Sequence, residues 1–113
     1  MVTELEGCRL VVRPRSDGSV TIAVGGELDT VNAEEVSRIL NDAAQRSDVA
    51  VDLHEVEFID SSGLRALLWA ALIAKESGWS LRLVRPTAMA QRLIDISGVG
   101  DVLLVGSCVG TDS

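Results

Sequence analysis

Apolar and polar positions alternate loosely across residues 9–15, Ser16-Asp17-Gly18 interrupts the pattern, and β-branched residues resume at Val20-Thr21-Ile22-Ala23-Val24. Two such runs joined by a short polar, glycine-containing turn predict an antiparallel hairpin. Gly25-Gly26 is expected to close its second strand. Asn32 and Glu35 then stand three apart, the spacing of a capping box, and Val36, Ile39, Leu40 and Ala43 follow at helical intervals. A first helix ending near Arg46-Ser47-Asp48 is expected. Residues 49–53 are a short apolar β-type run that 56–59 extends, which predicts an interior strand leading into Asp60-Ser61-Ser62-Gly63.

Beyond that turn, Leu64, Leu67, Leu68 and Ala71 form one helical stripe, and Trp69, Leu72 and Ile73 widen the apolar arc past what one core face requires. A helix beginning near Ser62 should therefore use two faces, one toward a sheet and one, carrying Trp69 with Leu72 or Ile73, toward something less buried. Gly78 suits the left-handed position that ends a helix. Leu81, Leu83 and Val84 predict a strand, Pro86-Thr87 its exit into a third helix through Ile94, and Gly98-Val99-Gly100 the turn before a last strand at 102–105. Strand and helix in alternation predict parallel crossovers, hence an α/β fold with a mixed, mostly parallel sheet, an N-terminal hairpin and about three helices. Residues 1–113 are expected to form one domain with its core at about 8–105, and 106–113 to be a flexible tail.

Composition narrows the partners. The 113 residues carry 10 Lys+Arg against 17 Asp+Glu, a formal charge of −7, whose field repels phosphate backbones and anionic lipid heads. Nucleic acid and membrane are therefore not expected partners. No signal peptide is expected from residues 1–7, and the apolar stretch at 66–74 is much shorter than the ~20 residues of a spanning helix. A cytoplasmic location follows, and with it the expectation that Cys8 and Cys108 stay reduced. The two cysteines lack the close His or Cys neighbours of a zinc site. No cofactor is expected.

Candidate chemistry concentrates at residues 60–63, where an apolar strand meets a helix start. Side chains at such a junction emerge at the carboxyl edge of a sheet, and the unpaired N–H groups and dipole of a helix start favour an anion, including a phosphate on its own serine. On these four residues alone, Asp60, Ser61 and Ser62 read more readily as caps of a helix and nothing more. His54, the sole histidine, lies in an expected turn before Ser61 with no carboxylate evidently orienting it, and is expected to be a surface loop residue rather than a catalytic base. Gly98-Val99-Gly100 is not followed by the helix a phosphate-cradling loop needs, so the chain is not expected to be an enzyme.

The segment Val51-Asp52-Leu53-His54-Glu55-Val56-Glu57-Phe58-Ile59-Asp60-Ser61-Ser62-Gly63-Leu64 resembles the signature of the STAS domain, shared by sulphate transporters and anti-sigma factor antagonists. Gly26-Glu27-Leu28-Asp29 resembles the family's other recurring segment, and Leu93-Ile94-Asp95-Ile96-Ser97-Gly98-Val99 its third-helix ending, all in family order. The resemblance implies a phosphorylated serine directly after the aspartate, at Ser61, with Ser62 the next candidate. Glu27, Asp29, Asp60, Ser62 and Gly63 would surround it and contact a partner. It further implies an anti-sigma factor with serine kinase activity as partner, bound by the unphosphorylated chain to free a sigma factor, and a phosphatase that resets the switch. Asn32 stands where better-known members carry threonine or serine. The alternative is a constitutive STAS subunit docked on the ATPase of a transporter, including the lipid-transport kind, with Ser61 and its neighbours serving as cap and contact surface only.

Overall fold

The computed structural model describes residues 1–98 and the strand Leu104–Gly106. Along the chain run β1 (Val2–Leu5), β2 (Cys8–Pro14), β3 (Val20–Leu28), α1 (Ala33–Ala44), β4 (Val49–Ile59), α2 (Ser61–Glu76), β5 (Leu81–Val84), α3 (Ala88–Ser97) and β6 (Leu104–Gly106). The strands form one six-stranded sheet in sequence order. The first three pair antiparallel, and β3 through β6 pair parallel. The expected α/β fold is thus the one observed. The turn expected at Val99-Gly100, the start of the last strand at Val102, and residues 107–113 with Cys108 lie outside the described residues.

Parallel neighbours in sequence order need three crossovers of the same hand, which places α1, α2 and α3 on one face of the sheet. Burial agrees with this. Leu10, Ile22, Val24, Val51, Leu53, Leu81 and Leu83 are buried beneath the helices with Val36, Leu40, Leu64, Leu67 and Ile94. Each such side chain, once removed from water, contributes about 1.5–3 kcal/mol. On the other face, Arg9, Val11, Arg13, Ala23 and Asp52 remain exposed or half-buried.

Three local readings are corrected. β3 does not close at Gly25-Gly26 but continues to Leu28, with Gly26 at φ +91°. β4 is the single strand expected over 49–59, 11 residues long, but it carries His54 exposed within it rather than in a turn. Register shifts against β3, between Ala23 and Gly25 and between Gly26 and Glu27, bulge β4 and let polar residues face outward without ending the pairing. Asn32 also makes no capping bond from its side chain at the start of α1, and Glu35 pairs with Arg38 instead of reaching back. β1 is an edge strand that the sequence pattern did not reveal.

Cys8 is buried on β2 opposite Gly26. Burial, reinforced by the charge of Asp29 and opposed by the Arg9 amide, pushes its thiol from 9.0 up to about 11. Because the folded value lies above the unfolded one, this thiol's contribution to stability is complete below pH ~9 and is lost as pH rises toward ~11. At neutral pH, iodoacetamide is expected to leave Cys8 unmodified in the folded chain and to label it in urea, as read by peptide mass. Rapid labelling of the folded chain at pH 7 would contradict this burial.

Candidate functional site

The carboxyl ends of β3 and β4 and the start of α2 converge on one edge of the sheet. Asp60 leaves β4 in an extended conformation and caps α2, its Oδ1 accepting from the Gly63 amide at 3.0 Å. Its own amide donates to the Leu28 carbonyl at 3.2 Å, binding the helix start to the end of β3. Gly63 is buried where the two elements nearly touch: a Cβ there would lie 2.4 Å from the Leu28 carbonyl oxygen. The cap is therefore Asp60, and α2 begins at Ser61, one residue before the expected start.

The two serines differ. Ser61, the first helical residue, is exposed and its hydroxyl has no hydrogen-bond partner among the described residues. Ser62 is half-buried and its Oγ lies 3.1 Å from Thr30 Oγ1, tying the loop before α1 to α2. Thr30 was not singled out by sequence reasoning, and no local pattern signals a contact across 32 positions.

Asp29 is half-buried and folds its loop, with its carboxylate accepting from the Val31 amide at 3.0 Å and its carbonyl from Ala33 at 2.8 Å. Asn32 holds this loop from inside. Its Oδ1 accepts from the Asp29 amide at 3.2 Å, and its Nδ2 donates to the Glu27 and Glu6 carbonyls at 2.7 and 2.9 Å. Only 2% of Asn32 is exposed. Its side chain thus shapes the loop and offers no surface to a partner. Glu27 is exposed beside the turn at Gly7, whose carbonyl accepts from the Glu27 amide at 2.7 Å. Of the predicted residues, Asp29, Asp60, Ser61, Ser62 and Gly63 gather around the helix start, while the Glu27 carboxylate has no hydrogen bond to α2.

Below Ser62, a groove of about 370 Å³ runs between α1 and α2, floored by Ala33, Ser37 and Ala66 and flanked by Thr30, Glu34, Arg65 and Trp69. The wide apolar arc of α2 is explained here. Leu64, Leu67 and Ala71 pack into the core, Ala66, Ala70 and Ala74 are also buried, and Ile73 packs against the core rather than facing outward. Trp69 remains 57% exposed and Leu72 38%. A larger depression on the open sheet face, bounded by Gly7, Gly25, His54 and Glu57, includes none of the predicted site residues. The small groove at the helix start is the one connected to candidate chemistry.

Residues 11–106 match the family described as Mlab, STAS domain, and the chain belongs to the STAS domain family. The anti-sigma-B factor antagonist of Bacillus subtilis (strain 168) is 27% identical over 90 residues, covering 79% of this chain and 83% of that protein. The crystal structure of an anti-sigma factor antagonist from Mycobacterium paratuberculosis superposes with TM-score 0.78 at 23% identity, covering 95% of this chain and 92% of the other. The Bacillus cell fate determinant SpoIIAA in its phosphorylated form superposes with TM-score 0.67 at 19% identity, covering 87% and 91%. The two superpositions establish the shared fold. Among the described residues no helix is long and apolar enough to cross a membrane.

Proposed function

We propose that this chain is an anti-sigma factor antagonist. In this reading the unphosphorylated protein binds an anti-sigma factor with serine kinase activity and so frees a sigma factor. The kinase then uses ATP to phosphorylate Ser61: the Ser61 Oγ forms a bond to the γ-phosphorus, the bond to ADP breaks, and the hydroxyl proton is lost. A phosphatase reverses the modification by hydrolysis. The names of the similar proteins support the partner class. The observation that carries the choice of acceptor is the exposed, unbonded hydroxyl of Ser61 beside a Ser62 hydroxyl already paired with Thr30.

The physical logic is that phosphate adds about −1.5 to −2 charge at a helix start whose amides tolerate it. Asp29 and Asp60 already make that edge acidic. The energetic penalty falls on the approach of a partner and not on the fold. The test is to incubate the purified protein with candidate kinases of the host and ATP, then locate phosphate by peptide mass. Uptake at Ser61 that Ser61→Ala abolishes and Ser62→Ala spares is the expected result. Wild-type stoichiometry in Ser61→Ala would move the assignment to Ser62. If neither serine takes phosphate and the protein co-purifies with a transporter ATPase, the constitutive subunit reading replaces this one.

Trp69 and Leu72 extend the surface from the helix start along α2 and supply the apolar part of the partner's footprint in this reading. Exposed tryptophans at interfaces commonly contribute 2 kcal/mol or more to binding. Trp69→Glu is therefore expected to weaken the anti-sigma complex by a factor of about 30 while leaving thermal unfolding near wild type. Calorimetric titration with a parallel melt separates the two, and loss of the fold without the partner would show that Trp69 is structural.

A further inference from the structure

We propose that Arg65 is the internal partner of a phosphate on Ser61, one helical turn away, so that modification both adds charge at the helix start and draws a cation out of the groove between α1 and α2. The inference rests on the reading of Ser61 as the phosphate acceptor. Ser61 is the first residue of α2 and Arg65 lies four positions on, the spacing at which helix side chains face one another. Helical Cα–Cβ bonds tilt toward the N-terminus, so the Arg65 side chain leans toward Ser61. An acid preceding a base by four is also the favoured order of such a pair.

Both residues are exposed, and Arg65 has no hydrogen bond or ion pair among the described residues. Glu34 borders the same groove without pairing to it. No acidic residue occupies the first turn of α2, and the Asp60 carboxylate outside it accepts from the Gly63 amide. Arg65 is therefore a cation without a counterion in the unphosphorylated state, placed within reach of the group that modification would create. Its planar fork of donors matches phosphate oxygens with two parallel hydrogen bonds. Since Arg65, Ser62 and Trp69 border one groove, its movement toward position 61 changes the surface on which a partner would rest.

The test uses phosphoserine installed at position 61 by amber-directed incorporation and follows its second ionisation by phosphorus NMR, in the wild-type chain, Arg65→Gln and Arg65→Lys. In Arg65→Gln the second pKa is expected to rise by about 0.3 unit or more relative to wild type, with Arg65→Lys between the two. High salt is expected to narrow the gap. A smaller rise in Arg65→Gln, with the variant folded by circular dichroism, overturns the proposal. No kinase is needed, so this outcome is separate from the fate of the switch reading: failure of any host kinase to act on Ser61 would remove the biological use and leave the measured pair unaffected.

Discussion

Gly63→Ala is expected to lower the stability of the chain by about 2–4 kcal/mol, although alanine is the better helix former. A Cβ at position 63 would lie 2.4 Å from the Leu28 carbonyl oxygen, 2.7 Å from Leu28 Cγ and 3.1 Å from Ile59 Cγ1. The first of these neighbours is backbone inside the sheet and cannot rotate away. Relief requires α2 to lift from the end of β3, which strains the Asp60 amide bond to Leu28 and the cap from Asp60 to Gly63. Overpacking costs about 1–3 kcal/mol and, against backbone that cannot rotate away, the upper end of about 2.5–3 applies; loss of a cap adds about 0.5–2, against a gain of about 1 from helix propensity. Gly78→Ala is the useful comparison. Gly78 has φ +87° but nothing within 4 Å of its added Cβ, so it should cost only about 1 kcal/mol from backbone strain. Urea denaturation of both variants checks the order. A Gly63→Ala protein as stable as Gly78→Ala would mean that the helix start is not held against β3 as closely as described.

That close approach explains why the site was readable in part. The junction at residues 60–63 was legible because its signals are local: a β-branched run, a cap residue, then a helical stripe. What holds the junction in place is not local. Asn32 has the type and spacing of a cap, yet it is turned inward to carbonyls at Glu27 and Glu6, the latter 26 positions away, and periodicity carries no information about such a contact. The same holds for Thr30 and Ser62 across 32 positions. His54 looked like a turn because two adjacent exposed polar residues normally end a strand; the bulges of β4 accommodate them while pairing with β3 continues. β1 was missed because its four residues pair on one side only and alternate between exposed and half-buried, with no buried position and no apolar alternation to mark it.

Stability and partner affinity are expected to move independently, and in one variant in opposite directions, when Ser61 is changed. Because Asp60 and not Ser61 caps α2, Ser61→Ala removes no capping bond and should change unfolding by no more than about 0.5 kcal/mol. It should also leave binding to the anti-sigma partner near wild type, since an exposed hydroxyl without partners gives up little. Ser61→Glu puts a negative charge at the first position of a helix that has no acidic residue in its first turn, which the helix dipole favours by about 0.3–1 kcal/mol. The same charge joins those of Asp29 and Asp60 on the face that the proposed partner would cover. One carboxylate reproduces about half of a phosphate's charge, so affinity should fall by a factor of about 10 for Ser61→Glu and about 100 for the phosphoprotein. Denaturant unfolding and titration of the anti-sigma factor on the same four samples measure both quantities. A Ser61→Glu protein that binds as tightly as wild type, together with a phosphoprotein that does the same, would show that charge at this helix start does not oppose the partner, and the switch would have to act elsewhere on the chain.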